Sequence, residues 1–164
     1  DDDIATALTE RYGLDDDEAR AMAHLARGNW IAAKAQAGTD DERDTFLQLY
    51  MQLMRQAYQR QVVHLRQWSE TLAKMGRERQ KRFLEYMLRM TRECFMSNMQ
   101  LPDIVYMTRQ EADFAAKFAR FVNERNVLQM YDVANLALRD IGQNANAKVV
   151  FFDLAMQVIV YLRN

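Results

Sequence analysis

One cysteine, one proline and five glycines are all that 164 residues hold of the three types that most constrain a backbone. A lone thiol, Cys94, excludes an internal disulfide framework and any zinc site built on several thiolates, and it is compatible with a reducing compartment. So few turn formers exclude a loop-rich β-sandwich or barrel, which needs them about every 8–12 residues. The chain is therefore expected to be all-α. Charge of one sign is also lacking: 22 Lys+Arg against 23 Asp+Glu leave a net charge of −1. The longest apolar run, VVFFDLAMQVIVYL at 149–162, is interrupted by Asp153 and Gln157. It falls short of the roughly 20 residues of a membrane span and reads as a buried helix. The opening Asp1-Asp2-Asp3-Ile4 shows neither an initiator Met nor an apolar signal core, and a piece cut from a longer protein is expected.

What is present suits an ordinary globular chain, 49% hydrophobic and 27% charged, able to bury a sizeable core without staples. Eleven methionines read first as core filler and second as lining for adaptable contacts. Residues 1–44 carry five basic and twelve acidic side chains, net −7, whereas 52–92 carry ten basic and three acidic, net +7. A boundary falls at AGTDDE, where Gly38 ends an Ala-rich segment and Thr39 with Glu42 begins a capping box. Two units follow, 1–37 and 39–164.

The first unit holds three short helical segments ending at Gly13, Gly28 and Gly38, with the acidic cluster Asp15 to Glu18 at a helix start. In the second, Phe46, Tyr50, Leu53 and Ala57 share one helical face, and Leu65, Trp68, Leu72 and Met75 continue at 3/4 spacing. No Gly or Pro lies between 39 and 75, so one long helix, or two joined near Arg60, fit equally. Gly76 separates the next segment, where Phe83, Met87, Met90 and Cys94 form a stripe beside Leu84, Leu88 and Phe95. Pro102 interrupts SNMQLPDIVYM. Thr108 with Glu111 forms a capping box ahead of Phe114, Phe118 and Phe121 or Val122, Gly142 suits a helix C-terminus, and Asn144 is expected to cap the last helix. The second unit should be five or six antiparallel helices.

Signatures of catalysis are missing: there is no phosphate loop, GxGxxG, HExxH or GxSxG. His24 and His64 lack ligands at metal spacing and read as structural, and Cys94 on an apolar stripe behaves as a small hydrophobe. The basic run over 77–92 could meet nucleic acid through counterion release. The favoured reading is a solvated face or a contact with an acidic partner, since Glu70/Lys74, Glu78/Arg82 and Glu85/Arg89 fall at i,i+4 spacing and the chain lacks the high pI of a dedicated binder.

The stretches LARGNWIAAKA, YQRQVVHLRQWSETLAKMGRERQKRFLEYMLRMTRE, FVNERNV and QNANAKVVFFDLAMQVIVYL resemble, over nearly the whole chain, the C-terminal region of delta prime subunits of the bacterial DNA polymerase III clamp loader, of Bacteroidetes type. The resemblance implies the end of a AAA+ helical lid domain at 1–37 and a helical collar, or oligomerisation, domain at 39–164. Where ATP-binding relatives have an arginine in G-S-x-R-D-A-L, this chain has Gly28-Asn29-Trp30-Ile31-Ala32-Ala33-Lys34. An aliphatic Ile31 cannot donate a hydrogen bond to phosphate. No cofactor, metal or catalytic residue is implied for this piece, whose parent would be a subunit of a DNA-directed DNA polymerase holoenzyme. The implied partners are the gamma/tau and delta subunits, with DNA and the sliding clamp met only through the assembly, no membrane, and a bacterial cytoplasmic location. The equivalent region of a delta or gamma/tau subunit is the nearest alternative, and a helical nucleic-acid-binding domain is the competitor from another class. A ring contact would draw on aromatic anchors, Trp68, Tyr86, Phe95, Tyr106, Phe152 and Tyr161, with Arg77, Arg79 and Arg82 at the rim.

Overall fold

Backbone breaks at two points decide how the basic half of the chain is cut into helices. The computed structural model describes residues 40–98 and 107–163. The unit 1–37 with Ile31 and His24, the Thr39 half of the first capping box, and the Pro102 segment with Tyr106 lie outside the described residues. Helix α1 (Asp40–Tyr58) stops just before Arg60, whose φ of 57° no α-helix can accommodate, and α2 (Val62–Ala73) begins two residues later. There are therefore two helices and not one. Gly76, at φ 85°, then turns the chain into α3 (Arg77–Asn98). Only glycine reaches that conformation without a Cβ penalty. Gln80 secures the turn by donating from Nε2 to the Leu72 and Ala73 carbonyls at 3.0 and 3.3 Å, using oxygens left over at the end of α2.

The Thr108–Glu111 capping box opens α4 (Arg109–Phe118): Thr108 Oγ1 accepts from the Glu111 amide at 3.2 Å, and the Thr108 amide donates to Glu111 Oε1 at 2.9 Å. A 3₁₀ turn (Ala119–Phe121) leads to α5 (Val127–Gly142), and α6 (Ala147–Tyr161) follows. The expected cap and stop are displaced by two residues here. Gly142 is still helical, Asn144 takes the left-handed turn at φ 67°, and Asn146 caps α6 by accepting from the Val149 amide at 3.2 Å. Asparagine tolerates the left-handed region better than most side chains, so Asn144 serves as the turn and leaves capping to its neighbour.

Among the described residues every regular element is helical, and the six helices pack as an all-α bundle. Helix α3 lies mainly on α5, α2 lies on α6, and α6 also meets α5 and α1. The short 59–61 link makes α1 and α2 an antiparallel hairpin, tied where Trp68 Nε1 donates to the Leu49 carbonyl at 2.9 Å. Asn126, fully buried, joins the start of α5 to the end of α6. Its Nδ2 donates to the Phe121 and Tyr161 carbonyls at 2.8 and 3.1 Å, while its Oδ1 accepts from the Asn123 amide at 3.0 Å.

The predicted stripes are the core. Tyr50 and Leu53 from α1, Leu65 and Leu72 from α2, Phe83, Met87, Met90 and Cys94 from α3, Met130 from α5 and Phe151 from α6 are all fully buried. Aromatic rings run through its centre, with Phe83 5.7 Å from Phe46, 6.0 Å from Trp68 and 6.3 Å from Phe151 between centroids. Methionines 54, 87, 90 and 130 fill core space between these rings, and Met156 reaches the bundle surface only partly covered.

Candidate interaction surface

A surface helix normally keeps one apolar stripe and a polar outer face. Helix α6, AKVVFFDLAMQVIVY, is apolar nearly all round. Its inner face buries Phe151, Leu154, Ala155 and Val158, and the remaining apolar side chains have nowhere to go but outward. Val149 is 63% exposed and Val160 is 54% exposed, with half-buried Phe152 and Met156 between them. These four fall at i, i+3, i+7 and i+11, along one face. Beside them, α2 leaves Val62 and Val63 exposed.

Between α2 and α6 runs a groove of about 640 Å³, floored by Val149, Phe152 and Met156 and edged by Arg66, Lys148 and Asp153. Lys148 pairs with Glu70 at 3.3 Å, and Asp153 accepts from Gln157 Nε2 at 2.7 Å. The Lys148–Glu70 pair sets the start of α6 beside the end of α2, and Phe151, further along α6, meets Trp68, further back on α2, at 5.9 Å between ring centroids, so the two helices run antiparallel. A smaller groove of about 360 Å³ between α1 and α4 mixes Asp44, Asp113, Arg55 and Lys117 over Met51 and Phe114.

The sequence-derived contact residues separate into three groups. Trp68 and Tyr86, 3% and 8% exposed, belong to the core and cannot anchor a partner without unfolding it. Phe95, Phe152 and Tyr161 are half-buried, and of these only Phe152 lines the larger groove. Tyr161 donates its hydroxyl to Gln157 Oε1 at 2.9 Å. The rim arginines divide as well. Arg77 is exposed, whereas Arg82 grips Glu42 through Nε and Nη2 at 2.7 and 3.1 Å, and Arg79 Nε lies 3.5 Å from the same carboxylate. The Arg82 hydrogen bond, opposed by partial burial and helped by the Arg82 and Arg79 charges, holds the Glu42 carboxyl below its usual value.

The anticipated i,i+4 pairs have other partners. Glu70 meets Lys148, Glu78 meets Lys81 at 3.6 Å, Arg82 meets Glu42, and Arg89 meets Glu111. Along a single helix surface such a pair is expected to gain only about 0.2–0.5 kcal/mol. The basic run is thus used partly to fasten α3 to α1 and α4, which reduces the charge it offers to a phosphate backbone.

Sequence reasoning missed Val149 and Met156 as surface residues because a uniformly apolar helix gives no sign of which side is covered. It also missed Arg66 and Lys148, whose place beside that surface depends on how α2 meets α6. No group of three or more His, Cys, Asp or Glu suited to a metal occurs among the described residues, and no described helix is long and apolar enough to cross a membrane.

Cys94 is fully enclosed, and burial first, then the Glu111 and Glu93 charges, push its thiol up to about 12. Thiolate is the reactive form. Disulfide-exchange labelling of the native chain near neutral pH should therefore be slower than in urea by on the order of a hundredfold or more. Equal rates in the two conditions would show that Cys94 is accessible in the native state. Comparison with family models, with curated proteins and with solved structures gives no match.

Proposed function

We propose that this chain is a non-catalytic helical assembly module, the collar of a clamp-loader subunit of the delta prime type, which helps to hold the ring that places the sliding clamp on primed DNA. The single observation that carries the reading is the uncovered apolar face of α6, with Val149, Phe152, Met156 and Val160 in line. Aromatic and methionine side chains of this kind are the anchors of protein interfaces. The sequence resemblance supplies the identity of the partners, the gamma/tau and delta subunits. The lid remnant at 1–37, the lack of nucleotide sensing at Ile31 and a bacterial cytoplasmic setting belong to the same proposal.

The direct test is the solution mass of the chain alone and mixed with gamma/tau and delta subunits that contain their collars. A stoichiometric complex is expected, with no ATP turnover by the isolated chain. A folded chain that ignores both partners would remove the main support for this reading. The nucleic-acid alternative has its own signature, a steep fall in DNA affinity as salt rises. Engagement of Arg79 and Arg82 by Glu42 disfavours it.

A further inference from the structure

We infer that the α2–α6 groove receives an apolar helix of a partner subunit, and that this helix sets a carboxylate against Arg66. The inference rests on the collar reading above and adds to it the face that is used and the chemistry of what fills it. From Val149 to Val160 the apolar strip covers eleven residue steps, about 16 Å along the axis, or three turns of a docked helix. Because α2 and α6 are antiparallel, the start of α2, with exposed Val62 one turn before Arg66, lies toward the Met156–Val160 end of the strip. A helix laid in such a groove makes contact through residues spaced i, i+3, i+4 and i+7. Phe152 and Met156 suit that role, since one is a rigid anchor and the other adapts to its neighbour.

Charge at the edge selects the partner. Lys148 is engaged by Glu70, and Asp153 is engaged by Gln157. Arg66 is exposed, lines the groove and has no ion-pair partner among the described residues. Its planar guanidinium fits a carboxylate in a two-pronged contact. Of the charges at this edge, Lys148 and Glu70 satisfy each other and Asp153 holds the Gln157 amide, so Arg66 is the one left for a partner. An apolar helix that places a single carboxylate opposite Arg66, away from Asp153, completes the edge, whereas a cationic one would be repelled by Arg66.

The test uses substitutions at exposed positions, so folding is left intact. Affinity for the collar-containing gamma/tau and delta subunits is compared for the wild-type chain, Val149→Asp, Arg66→Glu and Arg66→Gln. Val149→Asp places a charge on the apolar floor and should weaken the complex by on the order of tenfold or more. Arg66→Glu should weaken it by a similar factor, more than Arg66→Gln does, and the neutral variant should flatten the salt dependence seen in the wild type. A complex that forms equally well with all three variants overturns this inference and leaves the collar reading standing. If the wild-type chain forms no complex, both fall. Concentration-dependent dimers of the chain alone, abolished by Val149→Asp, would identify a second copy as the occupant and overturn the assignment to a partner subunit.

Discussion

Replacing Phe83 with alanine is expected to lower the unfolding free energy by about 3–5 kcal/mol, a large part of the about 5–15 kcal/mol that holds a typical domain together. The ring is fully buried in α3, and its neighbours come from three other helices: Phe46 on α1, Trp68 on α2 and Phe151 on α6. Removing it leaves a cavity that no single helix can close, because each wall is held by its own backbone and by the remaining contacts. The Phe46 and Trp68 rings meet Phe83 edge-on, at interplanar angles of 71° and 66°, so the variant also loses contacts worth about 0.5–1.5 kcal/mol each beyond their area. Urea unfolding followed by far-ultraviolet circular dichroism measures the effect, with an unchanged slope showing that the denatured state is unaltered. A loss below about 1.5 kcal/mol would mean that the core repacks around the gap, at odds with a rigid aromatic centre.

The second large effect is expected at the Arg89–Glu111 pair, which ties the middle of α3 to the first turn of α4. Glu111 has no exposed surface, whereas the Arg89 side chain is 26% exposed. That asymmetry decides which substitution does more harm. Arg89→Ala strands a carboxylate in the core and should cost about 3–5 kcal/mol. Glu111→Gln leaves a cation that water can reach and keeps an acceptor for the Thr108 amide, so its cost should be nearer to about 1–3 kcal/mol. Equal costs for the two would show that Glu111 is hydrated in solution.

The same pair has a signature in pH. Burial alone would raise the Glu111 pKa, but the Arg89 charge, the Thr108 amide, the Arg89 hydrogen bond and the Arg43 charge together hold it below the ordinary 4.5. A carboxylate with a depressed folded-state value adds stability above its unfolded pKa, and loses it as pH falls through the folded one. The wild-type pair should therefore weaken only as the solution becomes more acidic than 4.5. Without Arg89 two of the four effects that oppose burial are gone, so the folded value moves up and part or all of the stability that Glu111 adds above its unfolded pKa is lost. The destabilisation by Arg89→Ala should accordingly be smaller in acid than near neutrality. A constant difference across that range would rule out Glu111 as the group responsible.

Much of this arrangement was legible beforehand for a local reason. Helical stripes, the Thr108–Glu111 box and the turn at Gly76 each depend on residues within about four positions of one another, and composition with spacing reports on that range. At Arg60 one long helix and two joined there stayed equally open because arginine carries no turn preference, and the left-handed backbone at φ 57° with α2 packed against α1 decides for two. At the end of α5, the two asparagines in the run QNANAK, Asn144 and Asn146, offer both a turn and a cap, and spacing alone does not assign the two roles.

The candidate surface was less legible. Trp68, Tyr86 and Phe152 are all aromatic residues on helices, yet the first two fill the core and the third lines a groove. Likewise Arg82 and Arg89 look alike in a basic run, but they bind carboxylates 40 and 22 positions away in the chain.

The amino-acid sequence by itself determined an all-α chain, the positions of most helices and the identity of most core side chains, because a 3.6-residue period marks the face that must leave water. Only the tertiary structure decided which charges pair between helices and which side of α6 stays open. Those outcomes depend on the order in which helices meet in space. A helix apolar on every side carries no periodic signal from which that order could be read.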